Sequence, residues 1–278
     1  MKVFYNKEQQ VDGMRSESPS AGKPRLVLNS WNKITTVEKM SVTPLSDQDI
    51  SLAHDPSYVK GILLGKTKNG FGNKDRRVAK SLRWTTGSFV TAAIHAWSEN
   101  ENTFSPTSGF HHAKYSCADG FCTFNALTIA AIKLRSMGAQ RIGILDLDSH
   151  IGDGTDQTLR KQGADEIVAH YSLGYDNVDL YNNQLWIDKL PGMLREMFSN
   201  CEVILYQAGV DCHIDDPFVD RGEFTTEQIY ERDLAVFCTF KELEIPVVSN
   251  LAGGYQTPVS KVIGLHDLLA KAYLESCR

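Results

Sequence analysis

The sequence predicts an α/β fold: a single domain built on a central, mainly parallel β-sheet with helices on both faces. Three observations predict it. Continuous apolar runs of strand length occur at 142–147, 167–171, 203–207 and 246–250. Helical patterns stand between or after them, at 124–137, 183–198, 225–243 and 260–275. Three of the four runs end in polar, chemically useful residues. Apolar strands separated by helices imply a sheet buried on both sides. In such sheets the functional residues collect in loops leaving the carboxyl ends of the strands.

The elements before residue 102 are shorter. A β-prone stretch at 3–5 is followed by a polar segment at 12–22. Ser46 is an N-cap for a helix over 47–53, and Asp55-Pro56 supplies the cap and first residue of a helix through 64. Residues 65–77, GKTKNGFGNKDRR, have no periodicity and predict a surface loop; 82–97 reads as a helix with one buried face.

Composition sets outer limits. The 278 residues carry 29 Lys and Arg against 34 Asp and Glu, a net charge of −5, which argues against nucleic acid as the main partner. A chain this long buries about three-quarters of its unfolded surface and needs no disulfide staples. The six cysteines form no CxxC pair, so neither a thiolate zinc cluster nor a thioredoxin-like motif is present. The opening MKVFYNKEQQ is too polar for a signal peptide, and no apolar run reaches a membrane span. The expectation is a reduced, cytoplasmic protein without a membrane or nucleic-acid partner.

The chemistry begins after the first apolar run, in RIGILDLDSHIGDGT. Asp146, Asp148 and His150 are spaced by two, so in extended chain they project to one side and could grip one metal ion. The plainer reading is a turn with a helix cap at Asp153. A second segment, AGVDCHIDDP, puts Asp211 at the end of another apolar strand as a third ligand. Here Asp211-Cys212-His213 repeats the spacing, but His213 reads as a loop residue. Three ligands leave a coordination position for water, the catalytic pattern, and this donor set suits Zn²⁺, with Fe²⁺ or Co²⁺ also able to bind. In GFHHAKYSCADGFC, the neighbouring His111 and His112 would diverge in an extended segment and are not expected to bind one metal symmetrically; they read as proton-handling groups, each needing a carboxylate to fix its tautomer, or else as surface polarity. Asp146 and Asp153 are free for that role. Finally LAGGYQT ends a strand with Gly253, Gly254 and Tyr255, a turn that could offer a hydroxyl to an oxyanion.

These four motifs, in this order, resemble those of the histone deacetylase family of the arginase/deacetylase fold, which includes acetylpolyamine amidohydrolases. HDPSYV at 54–59 is similar to a family segment further upstream. The resemblance implies a metal at the bottom of a narrow acyl-binding tunnel, held by Asp148, His150 and Asp211. It implies His112 as general base with Asp153 as its partner, and His111 paired with Asp146. Phe121, beside Gly120, matches a tunnel-wall aromatic, and Tyr255 the carbonyl-polarising tyrosine. Asp146 also matches a residue near a structural potassium ion.

The departures bear on substrate. Ile151 replaces a second histidine after the ligand, and Gly109-Phe110 replaces the usual Pro-Gly. Phe110 and GGYQ resemble the class IV deacetylases, whereas the opening segment resembles the acetylpolyamine amidohydrolases. Tyr175 is the candidate for a second tunnel aromatic. The expected activity is removal of an acetyl or other acyl group from an acylated primary amine, acetyl-lysine or acetylpolyamine. Two rivals stand: a two-metal arginase-like ureohydrolase, disfavoured because Ser149 and Ile151 occupy positions for extra ligands, and a non-catalytic acyl-lysine-binding regulatory protein.

Overall fold

The computed structural model describes residues 1–14, 16–179 and 181–278. In chain order the elements are β1 (Lys2–Phe4), α1 (Lys23–Ile34), β2 (Glu38–Met40), α2 (Asp47–Ile50), α3 (Pro56–Leu63), α4 (Arg76–Glu99), β3 (Thr103–Phe104), α5 (Ala126–Met137), β4 (Ile142–Asp146), α6 (Asp153–Lys161), β5 (Val168–Ser172), α7 (Asn183–Phe198), β6 (Ile204–Gln207), α8 (Thr226–Glu242), β7 (Val247–Asn250) and α9 (Val259–Ser276). Among the described residues, seven strands form one sheet in the order β2-β1-β3-β7-β6-β4-β5. All of its pairings are parallel, which is stricter than the mainly parallel sheet expected.

Side chains alternate across this sheet and divide the apolar interior in two. Leu145, Ile204, Tyr206 and Val247 pack with α1, α7, α8 and α9, while Ile144, Leu205 and Val248 pack with α3, α4 and α5. That explains the unbroken apolar runs: both faces of each central strand are covered.

The helix starts follow side-chain capping. Ser46 and Asp49 form a capping box, and Asp55 accepts from the Ser57 and Tyr58 amides with Pro56 in the first helical position. α2 stops at Ile50, short of the expected 53. Asp75 accepts from the Arg77 amide, so α4 begins six residues before the expected 82 and takes Arg76 and Arg77 out of the predicted loop. Asn125 caps α5, moving its start from 124 to 126. α1, β2 and β3 are not predicted from the sequence as elements, and α6 enters only through the plainer reading, as the helix that Asp153 would cap.

The connection matters for function. From β4 the chain passes to β5 on one side and then to β6 on the other, so a crevice opens beyond the carboxyl ends of β4 and β6.

Candidate functional site

The crevice is where the predicted residues meet. After β4 and β6 the strands stop pairing at Leu147 N–H donating to the Gln207 carbonyl, 3.0 Å, and the chains splay. Asp148 and His150 come from the first exit and Asp211 from the second; one ligand atom from each lies within 4.8 Å of the others. His150 Nδ1 is 3.1 Å from Asp148 Oδ1 and 3.2 Å from Asp211 Oδ2. Backbone amides fix the other oxygens: Gly253 N–H donates to Asp148 Oδ2 at 2.9 Å, and Ser149 N–H to Asp211 Oδ1 at 3.0 Å.

The three side chains fit a divalent cation. Asp148 and Asp211 are almost fully buried, and the contact of Asp211 Oδ2 with His150 Nδ1 falls short of a well-aligned hydrogen bond, which leaves that oxygen free to take a cation. A side chain at Gly253 would collide with that oxygen and stand 2.7 Å from Asp148 Oδ2, so glycine keeps the space between the carboxylates. Burial raises the Asp211 carboxyl to about 7, with the adjacent Asp148 carboxylate adding to the effect. Burial opposes the charge on His150, but the adjacent Asp148 and Asp211 carboxylates prevail and lift the imidazole to about 11. The pocket therefore draws positive charge. Two carboxylates and an imidazole are a donor set for zinc, iron or cobalt.

The loop between β3 and α5 delivers the histidine pair. Phe110, buried against Phe89 with ring centroids 5.5 Å apart, adopts a φ of 99°, and the chain then turns so that both imidazoles enter the crevice. The first turn of α6 backs it, with Thr155 N–H donating to the His111 carbonyl at 2.9 Å. Gly154 permits that approach, since a Cβ there would strike the backbone of residues 111–113.

Each histidine has its expected carboxylate: His111 Nδ1 lies 2.8 Å from Asp146 Oδ2, and His112 Nδ1 lies 3.0 Å from Asp153 Oδ1. Their electrostatics differ. Burial opposes protonation of His111, but Asp146 and Asp148 outweigh it and raise it to about 9. Burial lowers His112, and the charge on His111 lowers it further. Asp153 is the first residue of α6 rather than its cap; its second oxygen pairs with Lys114 Nζ at 3.0 Å, a partner the sequence reading missed.

Tyr255 leaves β7 on the GGY turn and stands between two aromatic rings. Phe121 is 5.6 Å away and Phe218 5.0 Å, edge-on. Phe218 went unnoticed because a lone phenylalanine in an acidic loop carries no motif. Tyr175, the candidate second aromatic in the sequence, is instead largely exposed with its hydroxyl on Asp156. Gly120 lies flat against the His112 ring. Burial and the nearby Asp211 and Asp148 carboxylates keep the Tyr255 hydroxyl protonated. Asp216 accepts from the amides of Tyr255, 2.8 Å, and Phe218, 3.1 Å. His213 lies outside the triad, as expected, but is more than a loop residue: its Nε2 is 3.0 Å from Thr226 Oγ1, and its Nδ1 is 3.0 Å from Gln256 Nε2.

Ser149 turns its hydroxyl to the backbone of Asp220 and Arg221, and Ile151 faces the mouth of the cleft. No helix among the described residues is long and apolar enough to cross a membrane.

The chain matches the Histone deacetylase domain over residues 20–181, a span that holds positions 111–153 and stops before Asp211 and Tyr255. It is 28% identical over 247 residues to an uncharacterized protein of Picosynechococcus sp., covering 80% of each chain. To histone deacetylase 2 of Arabidopsis thaliana it is 27% identical over 265 residues, 81% of this chain and 66% of that one. Its fold is similar to that of the acetylpolyamine aminohydrolase from Burkholderia pseudomallei, with a TM-score of 0.78 at 15% identity over 98% of both chains. By the extent of the domain match, this chain belongs to the histone deacetylase family.

Proposed function

We propose that the protein is a metal-dependent amidohydrolase that removes an acetyl or other acyl group from an acylated primary amine, acetyl-lysine or acetylpolyamine, and that residues 1–278 act as one catalytic domain in the cytoplasm. The observation that carries this reading is the meeting of Asp148, His150 and Asp211 within 4.8 Å, beside the His111–Asp146 and His112–Asp153 couples. Asp148, His150 and Asp211 would hold a divalent cation, zinc foremost, which when bound would supply Lewis acidity to the amide carbonyl and to water.

The chain's own residues do the rest. His112 is neutral near pH 7, and Asp153 holds its proton on Nδ1, leaving Nε2 to take a proton from the attacking water. The water oxygen bonds to the carbonyl carbon, the C–N bond breaks, and His112 returns the proton to the departing amine. His111, protonated against Asp146, adds positive charge beside the reacting carbonyl. The Tyr255 hydroxyl donates to the developing oxyanion. Phe121, Tyr255 and Phe218 wall the approach with apolar surface that suits a methylene chain. A structural potassium ion, where the chain holds one, we assign to the neighbourhood of Asp146 and the Ser172 hydroxyl, 3.5 Å from the His150 carbonyl oxygen. Ser149 and Ile151 offer no further ligands, which favours one metal over the two of a ureohydrolase.

The test is a panel of acetyl-lysine peptides, acetylated polyamines and longer acyl-lysines, with zinc-loaded and chelator-treated protein. We expect turnover of at least one class, lost with chelator and restored by metal. Zinc-loaded protein inert toward every member would overturn the catalytic reading in favour of a binding protein.

A further inference from the structure

Arg232 lies on α8 with its side chain entirely buried, and nothing in the proposed chemistry uses it. Its guanidinium reaches across to the crevice from beneath. Nη1 donates to the Leu147 carbonyl at 3.1 Å and the Gly209 carbonyl at 2.7 Å, and lies 3.1 Å from Cys212 Sγ. Nε donates to Asp233 Oδ1 at 2.9 Å, and that oxygen also accepts from the Tyr206 hydroxyl on β6 at 2.5 Å.

The acceptors are the point. Leu147 immediately precedes Asp148, Gly209 is two residues before Asp211, and Cys212 follows it. The β4–β6 ladder ends at Leu147, so beyond it no backbone bond ties the two exits together. Their carbonyls are buried and need donors. A planar cation with several N–H groups satisfies both strands at once, at a separation set by its own rigid geometry. Stability alone does not call for this arrangement, because buried ion pairs are often replaceable by apolar groups without loss.

We propose that Arg232 is a positioning residue of the metal centre: it clamps the exits of β4 and β6, and so sets the spacing of Asp148 and Asp211 without touching either carboxylate. The inference rests on the metal site proposed above.

The experiment is zinc affinity of the full chain, measured by competition with a chromophoric chelator, alongside thermal unfolding. Arg232→Met should bind zinc about 10- to 100-fold more weakly, the usual cost of losing a group that orients metal ligands. Arg232→Lys should recover part of that loss, and KM at saturating zinc should stay unchanged in both. Tyr206→Phe leaves the guanidinium on the two carbonyls; it should lower the melting temperature and keep zinc affinity. A folded Arg232→Met with wild-type zinc affinity, or an equal zinc loss in Tyr206→Phe, overturns the proposal. Should neither Arg232 variant fold, Asp233→Asn decides, because it loosens the Nε anchor while keeping the arginine: several-fold weaker zinc supports the clamp and unchanged affinity refutes it. Wild-type protein that takes up no zinc refutes the metal site itself, a result separable from all of these.

Discussion

Asp148, His150 and Asp211 divide one task, and the first prediction follows from their count. Asp148→Ala or Asp211→Ala leaves two protein ligands, so both should lose bound zinc and activity. His213→Ala should keep zinc, because that imidazole is committed to Thr226 and Gln256. Metal content after gel filtration checks this, and loss of zinc only in His213→Ala would mean the wrong Asp-x-His was assigned. The second prediction separates the two groups that act on the substrate. Tyr255→Phe should retain zinc and lower turnover on the order of 10²- to 10³-fold with little change in KM, since its hydroxyl matters most once charge develops on the carbonyl oxygen. His112→Ala should also retain zinc while losing its base. In the wild type, His112 lies below the ordinary histidine value of 6.5, so kcat/KM should hold through neutrality and fall only below that pH. His112→Ala should lack this acidic limb, and near-normal turnover in either variant would refute the assigned roles.

Elements decide where such residues can be, and they were unevenly legible. β4, β6 and β7 announced themselves as apolar runs because both of their faces are buried. β5 reads as one too, although it is the edge strand with His170 and Tyr171 partly exposed. The motifs at the ends of the other three survived into the structure. β3 is two residues long, too short for any periodicity, although it launches the loop carrying His111 and His112. α6 shows in the sequence only as a helix with a cap at Asp153, because its first turn is spent on the site: Asp153 faces His112 and Gly154 yields to the histidine backbone. Lys114 and Phe218 join through tertiary contact alone, and no local pattern could have found them. The GGY turn gives the third prediction. Gly253→Ala would set a methyl group against Asp211 Oδ2, so it should weaken zinc binding and activity together while leaving the cooperativity of unfolding intact. Isothermal titration with zinc checks it, and unchanged affinity would show that the turn can shift aside without cost.

The whole molecule ties this loop to its far side through a histidine that touches no substrate. His54 is fully buried between α3 and the loop that follows β3. Its Nδ1 lies 2.9 Å from the Lys114 carbonyl, and its Nε2 accepts the Asn125 amide at 2.8 Å, so one neutral imidazole bridges both ends of the segment that follows the histidine pair. Burial lowers it from 6.5 to about 4, the hydrogen bonds only partly opposing that. Protonation would strip Nε2 of its lone pair and set a donor against the Asn125 amide. The folded state therefore binds fewer protons than the unfolded chain between these two values. Stability should be at its full value above pH 6.5 and decline as the pH falls toward 4, by on the order of 3 kcal/mol from this group alone, with little further change below. Urea unfolding at a series of pH values gives the slope. His54→Gln, which cannot titrate, should be less stable than wild type at pH 7.5 yet lose less on acidification, so the two stability curves converge as the pH drops. Parallel curves would mean that the acid sensitivity of the fold arises elsewhere, and that His54 bridges the loop without controlling when it opens.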